Sequence, residues 1–198
     1  MSSKVYADIY ATEGPFTQFP GAGLPDIKRF ITTHNAQGEG VFLPVDNGDH
    51  QALMANGRGC QNILYTTQGE AVDLNGEVDI ALAKNNAPSL HVPGGTLVRM
   101  IDFAPGVESP MHRAMSLDYG TVIEGEFEVE LDSGEKRIMR RGDVLVQRAT
   151  AHRWRNLSPD KPGRMLFVLL DCQPMDPING KEFAVELNEL SPDFEDNH

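Results

Sequence analysis

Glu126-Phe127-Glu128-Val129-Glu130-Leu131 alternates charged and apolar side chains through all six positions. That period of two belongs to a strand with one wet face and one buried face. Asp132-Ser133-Gly134-Glu135 supplies turn residues, and Lys136–Arg140 runs back, so the stretch reads as a β-hairpin. Downstream, Arg141-Gly142-Asp143 turns again. Val144-Leu145-Val146, Arg153-Trp154-Arg155 and Arg164-Met165-Leu166-Phe167-Val168-Leu169-Leu170 follow as further strands. Upstream, Thr96–Phe103 is rich in β-formers and Ala104-Pro105-Gly106 turns it. Strands are expected near Ser109–Ala114 and over Tyr119–Ile123, the latter broken by Gly125.

Earlier extended stretches lie at Ile27–His34, Gly40–Pro44 and Gln61–Thr66, and residues 69–94 read mostly as loops. Residues 1–26 carry scattered aromatics (Tyr6, Tyr10, Phe16, Phe19) without periodicity, which suits an arm packed on the body. The chain after Pro174 suggests a short helix over Gly180–Leu190, then a frayed acidic run, Asp193-Phe194-Glu195-Asp196. Short strands at regular spacing, punctuated by Gly and Pro, indicate an all-β closed barrel or jelly roll. The expected organisation is one domain: arm 1–26, barrel 27–174, tail 175–198.

The 198 residues are 40% hydrophobic and 23% charged, ordinary for a soluble globular protein. A formal net charge of -12 argues against nucleic-acid binding, which needs a basic face, and against docking on anionic membranes. No segment approaches a membrane span, and Met1–Asp8 shows no apolar leader core, so a cytoplasmic protein is expected. Cys60 and Cys172 stand outside any metal-type spacing and read as structural thiols. No glycine-rich nucleotide loop follows a strand, so no nucleotide cofactor is implied.

Two segments carry the chemistry. The first runs from Gly106 through His112, Ala114 and Asp118 to Gly125; the second runs from Gly142 through His152 to Asn156. Together they resemble the cupin superfamily, whose first motif is G-x5-H-x-H-x3,4-E-x6-G. Gly106, His112 and Gly125 match it, Ala114 stands at the second histidine, and Asp118 stands at the glutamate. In the second motif, G-x5-P-x-G-x2-H-x3-N, Gly142, His152 and Asn156 match, with the Pro and Gly missing and one residue fewer. The wording around these positions is similar to small single-domain cupins of bacteria and fungi, several of them in natural-product pathways. The resemblance implies a single cupin barrel (a double-stranded β-helix) and a homodimer.

It also implies that His112, Asp118 and His152 converge inside the barrel. Two imidazoles and a carboxylate suit Zn, Fe, Mn, Co or Ni. Alternatively they form a metal-free acid–base set, in which Asp118 orients an imidazole. Tyr119 is a candidate phenolic acid or a packing residue. One of Gln147 and Arg148 is expected to face the cavity by alternation, Arg148 as an anchor for a carboxylate or phenolate, or else as a solvated charge. Trp154 shares parity with His152 and either stacks on a flat substrate or packs the core. Met111 and Phe167 are expected in the apolar wall, and Arg113, Arg140, Arg141 and Arg153 at the surface.

Three functions fit this reading. One is a lyase or isomerase (dehydratase, decarboxylase or cyclase) acting on a natural-product or aromatic, polyketide-like intermediate. The second is an Fe(II)-dependent dioxygenase. The third is a barrel that binds a small molecule without turning it over.

Overall fold

A computed structural model describes residues 16–69, 71–85, 87–88, 90–190 and 194. The first fifteen residues of the expected arm, with Tyr6 and Tyr10, lie outside the described residues, as does the acidic run apart from Phe194. Eleven strands are formed: β1 Thr32–His34, β2 Gly40–Phe42, β3 His50–Met54, β4 Gly59–Gln68, β5 Gly95–Phe103, β6 Ser116–Glu124, β7 Glu126–Leu131, β8 Lys136–Arg140, β9 Val144–Arg148, β10 His152–Asn156 and β11 Gly163–Asp171. They make a two-stranded ribbon (β1-β2), a three-stranded sheet in the order β10-β7-β8, and a six-stranded sheet in the order β3-β4-β5-β11-β6-β9. All the strand pairs are antiparallel.

The opening hairpin is β7 paired with β8, from Glu126 opposite Arg140 to Glu130 opposite Lys136. Phe127 and Val129 are buried from it, while the alternate glutamates meet Lys136 and Arg153 on the outside. Inside, Phe127 meets Phe103 edge-on at 5.1 Å, so the two sheets share one core with Val122, Met139, Trp154 and Met165. The fold is the jelly-roll barrel that the strand spacing predicts.

The segment before β6 departs from a regular strand. Val107, Ser109 and His112 hydrogen-bond to the β10 backbone, through Asn156 N–H, Trp154 O and His152 N–H and O. Pro110 has no N–H to donate, so the pairing is broken into isolated bridges. This broken strand fastens the three-stranded sheet to the chain that enters β6.

The arm is held by charge as well as by Phe16 and Phe19. Arg164 makes a bidentate pair with Asp102, at 2.6 and 2.8 Å, and both are almost fully buried. The same Asp102 accepts the Gly21 N–H, and Arg164 donates to the Pro25 carbonyl. Phe19 lies 5.3 Å from the guanidinium.

Three expectations are corrected. Residues 69–94 are not all loop: α1, Val78–Asn85, lies against β4, with Tyr65 donating to Asp79 and His50 contacting the Ala83 carbonyl. Residues 180–190 do not form an α-helix. Glu186 instead exchanges backbone hydrogen bonds with Arg113, and only Asn188–Leu190 closes a 3-10 turn. Arg113 is not surface charge: it is 2% exposed, paired with Glu186 at 2.6 Å, and lies under Phe183. Cys60 and Cys172 are both free thiols; burial pushes Cys60 up to about 12. No helix among the described residues is long and apolar enough to cross a membrane.

Candidate functional site

The barrel encloses a cavity of about 870 Å³, counting its open mouth. β5 contributes Arg99, Ile101 and Phe103; β6 contributes Asp118; β10 contributes His152 and Trp154; β11 contributes Phe167 and Leu169. His112 enters from the broken strand and Ala114 follows it. Leu190 and Phe194 reach in from the tail and pack with Met54, Leu90 and Ala114.

His112 and His152 lie against each other in the cavity. Their ring centroids are 4.2 Å apart at 51°, because the two residues are bridge partners in backbone pairing. His112 Nδ1 lies 2.9 Å from the Pro110 carbonyl, so Nδ1–H donates there and Nε2 is left as the acceptor. His152 Nδ1 lies 3.0 Å from the Thr150 carbonyl, and the Gln147 amide nitrogen sits 3.1 Å from Nε2 and also contacts Nδ1. Burial lowers the pKa of both rings. His152, with His112 against it, falls to about 3. Both imidazoles are therefore neutral at pH 7.

Asp118 and Arg99 interact within the same cavity. Asp118 is 7% exposed, and burial pushes its carboxyl up to about 6 against the pull of the Ser116 hydroxyl and the Arg99 charge. Burial lowers Arg99 to about 10, with Asp118 opposing, so it stays a cation at neutral pH. One Arg99 N–H donates to the Leu90 carbonyl at 3.3 Å, and Phe194 lies 5.0 Å from its Cζ. Asp118 Oδ1 and Trp154 Nε1 are buried with no hydrogen-bond partner among the described residues.

The cavity takes in His112, His152, Asp118, Trp154 and Phe167 of the sequence candidates and leaves four out. Gln147 is buried, but it stands behind His152 as its hydrogen-bond partner. Alternation along β9 then turns Arg148 outward, where it is exposed. The same alternation along β6 buries Asp118 and turns Tyr119 out, 38% exposed. Met111, between Pro110 and His112, does not line the cavity, and its carbonyl accepts from Asn188. Arg99 is the residue that sequence reasoning missed. Its signal was parity: Leu97, Arg99, Ile101 and Phe103 occupy alternate positions of one strand, so the arginine must share the apolar face.

A resident metal does not fit this donor set. Among the described residues no three His, Cys, Asp or Glu side chains gather closely enough to share an ion. Ala114, at the position of the motif's second histidine, supplies no donor, and the carboxylate is set against a guanidinium. The expected ligand set His112, Asp118 and His152 thus lines one cavity without gathering around a single point.

A jelly-roll barrel with an apolar interior and a few polar groups aimed inward defines a small-molecule-binding β-barrel. Residues 99–169 match the Cupin domain family model, and the chain belongs to the cupin-domain proteins. It is 50% identical over 184 residues to the cupin-domain-containing oxidoreductase srdB of Neurospora crassa, covering 93% of each chain. It is 53% identical over 188 residues to the cupin-domain-containing oxidoreductase fogC of Aspergillus ruber, covering 94% of this chain and 90% of that one. It is 44% identical over 156 residues to the phomopsin biosynthesis cluster protein D of Diaporthe leptostromiformis, covering 77% and 82%.

Proposed function

We propose that this chain is a small-molecule enzyme of secondary metabolism, a lyase or isomerase that moves a proton within an apolar substrate held in the barrel. The observation that carries this reading is that two neutral imidazoles and a carboxyl of raised pKa line one apolar cavity. Groups whose environments drive their pKa values apart are the usual mark of an acid and a base. His112 is the base: Nε2 takes a proton from a carbon next to a carbonyl, and the C–H electron pair forms a C=C bond. The C=O π pair moves onto the oxygen, which takes the proton of Asp118 in its protonated form, the minority form at pH 7 for a carboxyl with a pKa of about 6. The enol O–H proton then returns to Asp118 and its electron pair re-forms C=O, while the His112 imidazolium gives its proton either to the far carbon of a conjugated C=C, completing an isomerisation, or to a β-hydroxyl that leaves as water with its C–O electron pair, completing a dehydration. His152 stays neutral and packs His112 in place. Trp154 and Phe167 form the wall on which the substrate lies.

The test is deuterium wash-in. With 2-octanone as probe in D2O, the wild type should accelerate exchange beside the carbonyl, and His112→Ala should lose that acceleration. Equal exchange in both proteins would overturn the assignment.

The word oxidoreductase in the relatives' names favours a second reading, a redox reaction on a substrate held in the same cavity. Oxygen uptake in the presence of substrate and iron separates the two. A binding barrel without turnover is the third reading; it requires that a bound compound be returned unaltered. A cytoplasmic homodimer completes the proposal. A light-scattering mass of two 21.8 kDa chains supports it, and a mass of one contradicts it.

A further inference from the structure

We propose that Arg99 is the substrate-recognising residue of the cavity, and that the substrate is an apolar chain or ring bearing a carbonyl oxygen that the Arg99 guanidinium binds. The inference rests on the small-molecule reading above and names the chemistry that reading leaves open.

A guanidinium in the middle of a barrel strand is costly to desolvate. Arg99 is 3% exposed, between Leu97 and Ile101 on the inner face of β5, and it lines the cavity with Phe167 and Leu169. Packing alone would be served by an aliphatic residue there. What a guanidinium adds is a planar fork of fixed N–H donors, always charged, suited to an oxygen acceptor. The pocket around it is shaped for this use. Asp118 supplies the compensating charge from β6, which keeps the cation stable inside the barrel. Phe194 covers one face of the guanidinium at 5.0 Å and shields it from water. The second cation at the cavity, Arg58, is only half-buried and its Nε donates to the Ala55 carbonyl.

Position matters as much as charge. Arg99 stands beside Asp118, whose protonated form is the acid. A carbonyl oxygen bound there lies next to the acid, and the negative charge that develops on it during proton abstraction is met by the guanidinium. Such preorganised donors act most strongly where water is excluded.

Trp154, the single tryptophan of the chain, forms part of the cavity wall, so its fluorescence reports occupancy. The probes are 2-octanone and 1-chlorooctane, of matched chain length, the second without an oxygen. Wild type should bind the ketone at least about tenfold more tightly, and Arg99→Met should bind the two within about threefold. Arg99→Gln, a gentler change, should lose at least about threefold of the preference. Tyr119→Phe, on the outer face of β6, should keep it. A preference that survives in both Arg99 variants, or that is lost as fully in Tyr119→Phe, overturns the proposal. A wild type that binds both compounds alike overturns the Arg99 assignment alone. Titrations in which neither compound perturbs Trp154 overturn the small-molecule reading, and Arg99's role with it.

Discussion

His112 and His152 exchange backbone hydrogen bonds, N–H to O, at 2.9 Å in both directions, and hold their rings 4.2 Å apart. Two imidazoles locked this closely in a buried site cannot both be charged. The more buried of the two, His152, should remain neutral well into the acid range, with its pKa about 3. A histidine C2–H titration by NMR checks this: the His152 resonance should not move between pH 7 and 5. A midpoint near the ordinary 6.5 would show that the ring is solvated.

Asp118 makes stability depend on pH in the opposite sense. Its carboxyl is raised from 3.8 to about 6, so the folded chain holds a proton that the unfolded chain releases. That contribution is complete below about pH 3.8 and is lost as pH rises through about 6. Asp118→Asn removes it. The unfolding free energy of the variant relative to wild type should therefore rise by about 3 kcal/mol between pH 3.5 and 7.5. Denaturant melts across that range measure it, and a flat difference would contradict the burial of the carboxyl.

The Asp102–Arg164 pair lies on the side of the sheet away from the cavity and ties the arm to the barrel through Gly21 and Pro25. Asp102→Ala leaves a buried guanidinium uncompensated and should cost about 3–5 kcal/mol. Limited proteolysis should then cut within residues 16–26. A stable variant with a protected arm would show that the aromatics alone hold it.

Tyr119 and Arg148 face outward on β6 and β9. Tyr119→Phe and Arg148→Ala should leave the ketone preference of the cavity and the deuterium exchange within about twofold of wild type, since exposed substitutions are usually near neutral. A tenfold loss in either would place that side chain in the site after all.

Much of the fold was legible because the informative strands are amphipathic. Phe127 and Val129 against three glutamates leave no other reading of β7. The helix Val78–Asn85 was not legible because it buries one side chain, Ala83, and so has no apolar stripe to detect. Residues 180–190 were misread because their pairing partner is Arg113, distant in sequence; local pattern cannot report a backbone bridge to another segment. Within the site, motif spacing located His112, His152 and Asp118 at the cavity. It could not say that Asp118 would answer to Arg99 in place of the histidines. Charge drew attention away from Arg99, although strand parity placed it inside. The same parity, counted from Asp118 and Gln147, places Tyr119 and Arg148 outside.

The central claim is that the cavity does proton-transfer chemistry with the chain's own residues. Deuterium wash-in to 2-octanone, measured under strict anoxia after dialysis against a chelator, tests it most directly. The account predicts exchange that persists under these conditions in the wild type and disappears in His112→Ala. Exchange that vanishes on chelation and returns with added iron, or that is untouched by loss of His112, would contradict it.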